Sequence, residues 1–216
     1  MLKTKAIKIH PETPASSAIE QAAELIRQCG LVGYPTESAY ALGCNAFDEN
    51  AVRKVFEAKR RPLGTPLPII VSDLEMWKTC AFIDERVEEL IERFLPGPLT
   101  IALKKKPIIP DILNPKSIAA RISSHPVAQA LVERAGIPIT ATSANVSGNP
   151  PHYTVKQVKK DLAGKVDLVL DAGKLPKRRL STIVDFTLGS MPRITRVGAI
   201  SAKAISRVLS AEVVAN

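Results

Sequence analysis

The chain has 216 residues, of which 45% are hydrophobic, and its 30 Lys and Arg outnumber its 21 Asp and Glu to give a net charge of +9. The apolar content is sufficient for a packed core, and the excess of cations indicates either an anionic partner, such as a nucleotide, an RNA or a phosphorylated substrate, or a solubilising surface. The three cysteines and three histidines have no metal-ligand spacing, which argues against a zinc site and a disulfide framework, and no apolar stretch approaches the roughly 20 residues of a membrane span.

The first half of the chain is predicted to alternate between helices and strands. After an extended segment over 1–15, apolar residues at helical spacing predict a helix over 16–28. A second helix over 49–60 is predicted to start after the N-cap Asp48 and to stop before Pro62. The other predicted elements are strands over 31–35, 68–72 and 99–103 and helices over 74–79 and 85–94.

The second half continues the alternation, without a low-complexity linker. Its predicted strands cover 118–122, 137–142, 166–170, 182–186 and 194–197, and its predicted helices cover 126–135, 155–162 and 201–209. Residues 104–116 begin with three lysines and contain three prolines, and we expect them to form a loop; whether this loop closes over the ligand site stays open. The pattern predicts one α/β domain over residues 1–216, with a twisted mixed sheet and flanking helices.

The cysteines are expected to be free thiols in a reducing cytoplasm. Cys29, Cys44 and Cys80 are an odd number of cysteines and lie far apart in the sequence. We therefore predict buried or partly buried thiols.

A cluster of cations ends the second predicted helix. Lys59, Arg60 and Arg61 precede Pro62 and a rigid, turn-rich segment. The helix dipole favours cations at a helix C-terminus, which is one explanation for the cluster. A rigid backbone that carries clustered cations also suits a phosphate clamp, which is the second explanation.

Small polar residues follow two of the predicted strands. Ser143 and Asn145 come directly after strand 137–142, where they can donate hydrogen bonds to phosphate or carboxylate oxygens, or form an ordinary polar turn. Thr36 ends strand 31–35. Its hydroxyl can face a ligand crevice at the end of the strand or cap the turn that follows.

Arg121 lies inside the predicted strand 118–122, where burial of an unpaired charge would be costly. It therefore requires an anion, which is either an internal Asp or Glu or the carboxylate of a ligand, and Arg196 raises the same question. The sequence contains neither of the two common glycine-rich phosphate loops nor the Gly-x-Ser-x-Gly pattern of hydrolases. A nucleotide would therefore be bound through scattered cations.

Seven short motifs occur in an order that is typical of one family. They occupy residues 35–43, 59–62, 96–100, 121–122, 143–148, 181–185 and 196–198. In this order they resemble the YrdC-type threonylcarbamoyl-AMP synthases, over about residues 18–198. The resemblance implies a YrdC-like domain with a basic concave face.

The resemblance also implies an activity. Such enzymes are nucleotidyltransferases that join L-threonine, bicarbonate and ATP into threonylcarbamoyl-AMP and release pyrophosphate. Mg²⁺ accompanies the ATP, and no metal ligand from the protein is expected. A transferase partner then modifies an adenosine beside the anticodon of certain tRNAs, so the resemblance implies contact with tRNA or double-stranded RNA, in the cytoplasm and away from membranes.

The roles of individual residues follow from the same resemblance. Lys59 and Arg61 would be the catalytic cations and would contact the ATP phosphates. The other residues implied for ATP are Ser117, Ser143, Asn145 and Arg196. Those implied for threonine are Thr36, Arg121 and Ser181, with Arg121 on the carboxylate of the amino acid.

The chain departs from the family pattern at four positions, which keep other functions open. Ser38 replaces the usual threonine, Ala41 the usual glycine and Ser123 the usual proline, while Ile70 stands where a histidine is frequent. Some of these features resemble the YciO-type paralogues, whose activity is less certain. A third alternative is an RNA-binding or ribosome-associated module that uses the basic face, although aromatic side chains for base stacking are sparse.

Overall fold

The computed structural model describes residues 4–189, 191–211 and 213–215. Its helices are α1 (Ser16–Arg27), α2 (Glu49–Lys59), α3 (Leu74–Cys80), α4 (Glu85–Phe94), α5 (Pro126–Ala135), α6 (Val155–Leu162) and α7 (Ala202–Leu209). Its strands are β1 (Lys5–Lys8), β2 (Val32–Pro35), β3 (Tyr40–Gly43), β4 (Ile69–Ile70), β5 (Leu99–Lys104), β6 (Ser117–Arg121), β7 (Ile139–Thr140), β8 (Thr142–Ser143), β9 (Leu168–Asp171), β10 (Thr182–Asp185), β11 (Arg193–Arg196) and β12 (Val214–Ala215).

The described strands form two mixed sheets. One has the order β1-β9-β2-β3-β8 and the other the order β12-β11-β10-β5-β6-β4-β7. In the first sheet β2 runs parallel to β9 and antiparallel to β3, and in the second β5 runs parallel to β10 and antiparallel to β6. The α/β class and the mixed pairing confirm the prediction, but the strands are divided between two sheets rather than assembled in one.

Two apolar clusters hold the layers together. Helices α1 and α5 cover the five-stranded sheet, with Ile26 and Leu131 fully buried in one cluster. The larger cluster joins the two sheets, because it contains Leu42 and Val169 from the first and Ile101 from the second. Burial of apolar surface is the main favourable term in folding, so this shared cluster fixes how the two sheets meet.

Helix boundaries near the site are set by side-chain caps. Asp48 starts α2 by accepting a hydrogen bond from the amide of Ala51 at 2.7 Å, and Thr154 starts α6 in a capping box with Gln157. At the other end of α2, Arg60 adopts the left-handed conformation, with φ of 51°. None of the described helices has the length and apolar character needed to span a bilayer.

The three cysteines are free, as the sequence predicts. Cys44 and Cys80 are buried, and Cys29 is partly buried. Burial raises the pKa of Cys44 to about 12, which keeps this thiol protonated and unreactive near neutral pH.

Candidate functional site

A cavity of about 290 Å³ lies where the two sheets meet. The turn between β2 and β3, the end of β8 and the segment after α2 form one wall, and the ends of β5, β6, β10 and β11 form the other. Its lining residues include three arginines and six Ser or Thr side chains but no Asp or Glu. The lining residues that carry the site are Thr36, Ser38, Arg61, Thr100, Arg121, Thr142, Ser143, Ser181 and Arg196. Such a wall suits an anion.

Arg121 ends β6 and is almost completely buried. Its Nε lies 3.2 Å from Oε1 of Glu37, whose side chain is also buried, and Ser123 donates a hydrogen bond of 2.6 Å to Oε2 of the same carboxylate. Glu37 is therefore the internal acid that the sequence analysis allowed as a partner of Arg121. The contact between Arg121 and Glu37 is an ion pair without a hydrogen bond, so Arg121 Nε has no hydrogen-bond partner among the described residues. The Arg121 side chain also lines the cavity.

Arg196 is held in place by Ser181. Its Nε donates to the Ser181 carbonyl at 2.9 Å and its terminal nitrogen donates to the Ser181 hydroxyl at 2.8 Å. The hydroxyl of Ser181 is also 2.8 Å from that of Thr100. Burial, with the neighbouring charge of Arg121 as a second cause, lowers the pKa of Arg196. An anion in the cavity would relieve this crowding of cations.

Arg61 lies beyond the end of α2 and faces the same cavity. A terminal nitrogen of its guanidinium donates to the carbonyl of Pro66 at 3.0 Å, so the segment after α2 folds around it. Its Nε is buried and has no partner among the described residues. Burial lowers the pKa of Arg61, and the unused donor can serve a ligand.

Lys59 lies behind the cavity wall rather than on it. The side chain is 1% exposed, and its ammonium donates to the carbonyls of Asn145, at 2.8 Å, and of Ser143. Burial, assisted by the charge of Arg61, lowers its pKa to about 7. In this structure Lys59 therefore holds the loop after β8 and does not contact the cavity.

The loop after β8 is fixed by several polar contacts. The Asn145 amide donates to the carbonyls of Val146 and Asn149 at 2.9 and 2.7 Å. Asp161 accepts from the Val146 amide at 3.0 Å and from the Asn149 side chain at 2.9 Å. These hydrogen bonds, together with His152 nearby, lower the pKa of Asp161 to about 2.

Ser143 and Asn145 have different positions in this loop. Ser143 is paired with Ala41 in the sheet and lines the cavity. Asn145 is 4% exposed and its Oδ1 is without a partner among the described residues. Asn145 thus shapes the loop, whereas Ser143 faces the cavity.

Thr36 meets both of the sequence expectations. Its hydroxyl donates to the Ala39 carbonyl at 2.7 Å and so closes the turn between β2 and β3. The residue also lines the cavity, together with Ser38 and Ala41.

Ser117 is the one predicted site residue that lies far from the cavity. It starts β6 opposite Lys104, whereas Arg121 ends the same strand, and four residues of strand separate the two by about 13 Å. Residues 104–116 connect β5 to β6, as the predicted loop requires, and the Leu113 carbonyl in this connection accepts a hydrogen bond from the Leu67 amide at 3.1 Å.

Several contributors to the site, among them Thr142, were not singled out from the sequence. Glu37 and Thr100 lie inside motifs from which other residues were chosen as site residues. Leu180 lines the cavity but lies outside every motif. Their roles depend on partners from distant strands, which local patterns do not reveal. Among the described residues, no group of His, Cys, Asp or Glu is placed to hold a metal ion.

Comparison with known proteins establishes the family. The Sua5/YciO/YrdC family model, described as telomere recombination, matches residues 24–198, which is most of the chain. The protein belongs to this family.

Named relatives cover most of the chain. The threonylcarbamoyl-AMP synthases of Pyrococcus abyssi and Bacillus subtilis are 39% and 36% identical to it, each over 88% of the chain. The Escherichia coli protein YciO, described as uncharacterized, is 34% identical over 88% of the chain. The chain spans 57% and 56% of the two synthases and 93% of YciO.

Solved structures show the same fold. The crystal structure of P. abyssi Sua5 complexed with L-threonine matches 99% of this chain and 63% of that chain, with a TM-score of 0.93 at 36% identity. E. coli YciO matches 94% of this chain and 99% of that chain, with a TM-score of 0.84 at 32% identity.

Proposed function

We propose that the protein is a threonylcarbamoyl-AMP synthase, a nucleotidyltransferase that uses L-threonine, bicarbonate and ATP. The observation that carries the proposal is a cavity with three arginines, six small hydroxyls and no carboxylate on its wall. It occurs in a fold that matches a threonine complex of Sua5 over nearly the whole chain. Each substrate carries a negative charge, so each finds a complementary group at this site.

Arg121 would bind the carboxylate of threonine. Its guanidinium is oriented by Glu37 on one side and its side chain reaches the cavity on the other. Thr36 and Ser181 supply hydroxyls that also line the cavity. A guanidinium that is fixed in this way loses little conformational freedom when the ligand arrives.

The phosphates would be bound by the other cations. Arg61 has a buried Nε that is free to donate, and Arg196 is fixed by Ser181. Ser143 adds a hydroxyl. Lys59 donates a hydrogen bond to the Ser143 carbonyl and so holds the loop that carries this hydroxyl. Lys59 would then be a positioning residue rather than a direct contact to phosphate in the ground state.

The reaction requires alignment more than proton transfer by the protein. The threonine amine would add to bicarbonate and lose water to give a carbamate. The carbamate oxygen would then attack the α-phosphorus of ATP, and the bond to pyrophosphate would break as pyrophosphate leaves. Fixed arginines facing the developing charge on the phosphates would lower the barrier.

Mg²⁺ would accompany the nucleotide. The cavity wall offers hydroxyls but no carboxylate, and Mg²⁺ is commonly held by substrate phosphates and water with few protein ligands. These residues fit a metal that arrives with ATP. When bound, the ion would neutralise phosphate charge. Delivery of the product to a transferase partner and to tRNA, and the cytoplasmic location, stay predictions from the sequence.

The test is pyrophosphate release from ATP, bicarbonate and Mg²⁺, measured with and without L-threonine. The proposal predicts release that depends on threonine and is absent with threoninol, which lacks the carboxylate that Arg121 would bind. Release that is the same without threonine would contradict the proposal.

A YciO-like function is the second candidate. It is favoured by the match over 99% of the length of YciO and by Ala41, which lines the cavity where the family usually has glycine. This candidate predicts ATP binding without threonine-dependent turnover in the same assay.

A further inference from the structure

The segment between β9 and β10 carries a basic strap, which we define as residues Lys177, Arg178 and Arg179. All three are exposed. The segment is tied down at both ends, because the amide of Leu175 donates to the Tyr153 carbonyl at 2.9 Å and the Leu180 carbonyl accepts from Ala199 at 2.9 Å. The cations are thus presented on a short span with fixed ends.

The basic strap ends one residue before the lining of the arginine-lined cavity begins. Leu180, directly after the strap, lines the cavity, as does Pro151 on the neighbouring loop. The ammonium of Lys177 lies over the ring of Tyr153, at 5.8 Å from its centroid, so the strap runs beside that loop. Since a single residue separates Arg179 from the buried Ser181, the guanidinium of Arg179 is within side-chain reach of a ligand that leaves the cavity, and the other two strap cations follow directly along the chain.

The charges around this end of the cavity favour a ligand with more than one anionic group. The strap cations have no ion pair among the described residues, and the cavity wall adds Arg61, Arg121 and Arg196 without any lining carboxylate. Glu37 compensates one of these charges. Like charges that are held together are costly unless an anion binds between them, and threonine and bicarbonate each supply only one negative charge.

The size of the cavity also indicates a ligand that extends beyond it. At about 290 Å³ it lies at the lower limit of small-molecule sites, which span about 300–1,000 Å³. A nucleoside triphosphate bound together with an amino acid needs more room than this. Part of the pair would therefore extend beyond the cavity, along its mouth.

We propose that the basic strap is an outer phosphate subsite, which binds the terminal phosphates of the nucleoside triphosphate as they emerge from the cavity. The proposal rests on the synthase function, because it assumes that a nucleotide occupies the cavity. The phosphate oxygens would accept hydrogen bonds from the guanidinium groups of Arg178 and Arg179 and from the ammonium of Lys177. The strap would thereby distinguish a triphosphate from a monophosphate.

The test compares the binding of ATP, AMP and inorganic pyrophosphate by calorimetry at low ionic strength. In a strap variant, Lys177→Ala with Arg178→Ala and Arg179→Ala, we expect ATP and pyrophosphate to bind about tenfold more weakly, since exposed ion pairs are individually weak. AMP should bind as it does to the unmodified protein, because it has no terminal phosphates to reach the strap.

A charge-matched control separates the strap from the net charge. Lys104→Ala with Lys116→Ala and Lys203→Ala removes the same number of exposed cations, two of them at the far end of the β5–β6 hairpin. This control should bind ATP as the unmodified protein does. Equal weakening of ATP in both variants, or equal weakening of AMP and ATP in the strap variant, would overturn the proposal.

Two further outcomes are informative. If the unmodified protein binds ATP but the strap variant binds it equally well and loses affinity for RNA instead, the strap serves an RNA backbone and the proposal is wrong. If the unmodified protein binds no ATP, the synthase function itself fails. The two failures are therefore distinguishable.

Discussion

At the scale of single residues, the buried pair of Arg121 and Glu37 governs what the cavity can bind. Both side chains are less than a tenth exposed and lie 3.2 Å apart at their closest atoms. Loss of one partner from such a pair leaves an uncompensated charge, at a cost of about 3–5 kcal/mol. Replacement of the two together avoids this cost and isolates the role of Arg121 in binding.

A double variant, Arg121→Gln with Glu37→Gln, should fold but bind L-threonine about 10- to 100-fold more weakly. The lost interaction is a charge-assisted hydrogen bond to carboxylate, worth about 1.5–3 kcal/mol. Threonine affinity measured by calorimetry checks this, with threoninol as the control ligand, whose binding should change little. Unchanged threonine affinity in the double variant would exclude Arg121 as the carboxylate ligand.

Asp161 should make stability depend on pH in the acid range. Its pKa in the folded protein is about 2, against an ordinary value of 3.8, so the folded state favours the carboxylate. The contribution is present above about pH 4 and is lost as the pH falls toward 2, because the unfolded chain takes up the proton first.

The variant Asp161→Asn tests this dependence. We expect it to be less stable than the unmodified protein by about 1–2 kcal/mol near pH 6, with a smaller difference near pH 3. Urea unfolding at both pH values measures it. A difference that stays constant with pH would show that Asp161 does not titrate in this range.

At the scale of elements, the start of β10 is held against the segment after β11. The amide of Gly198 donates to the hydroxyl of Thr182 at 3.0 Å. A methyl group on Gly198 would lie 2.2 Å from the Leu180 carbonyl oxygen and 2.5 Å from the carbonyl carbon of Ser181. These are backbone atoms, so the strand itself would have to move, and Ser181 with it.

Gly198→Ala should therefore destabilise the protein by about 1–3 kcal/mol, as overpacking does, and should weaken ligand binding at Ser181. The neighbouring exchange Val197→Ala is the control, because Val197 is 57% exposed and should change stability little. Thermal unfolding of both variants checks the expectation. Equal stability of the two variants would mean that the backbone around Gly198 accommodates a methyl group without cost.

Local sequence signals located the helices better than the strands. The predicted bounds of α4, α5 and α6 agree with the structure to the residue, because caps such as Asp84 and Thr154 mark where these helices begin. Strand β3 was missed, since the preceding residues indicated only a turn. The predicted strand 137–142 is two short strands in different sheets, a division that depends on partners elsewhere in the chain.

At the scale of the whole molecule, the site exists only because the two sheets meet. The motif order identified the residues that line the cavity, such as Arg61, Arg121 and Arg196, although they come from different elements. It did not reveal that Ser117 lies at the end of β6 opposite to Arg121. Nor did it reveal that Lys59 donates a hydrogen bond to the loop after β8 and does not face the cavity. Those positions depend on strand register and on long-range packing, which a linear pattern does not contain.

The arginine-lined cavity is proposed to join L-threonine, bicarbonate and the AMP moiety of ATP into threonylcarbamoyl-AMP, with release of pyrophosphate. The most direct measurement is mass spectrometry of the nucleotide product formed from ATP, L-threonine and Mg²⁺ with ¹³C-labelled or unlabelled bicarbonate. We expect threonylcarbamoyl-AMP that takes up the labelled carbon and does not form without threonine. ATP binding without any product that contains both threonine and the labelled carbon would contradict it.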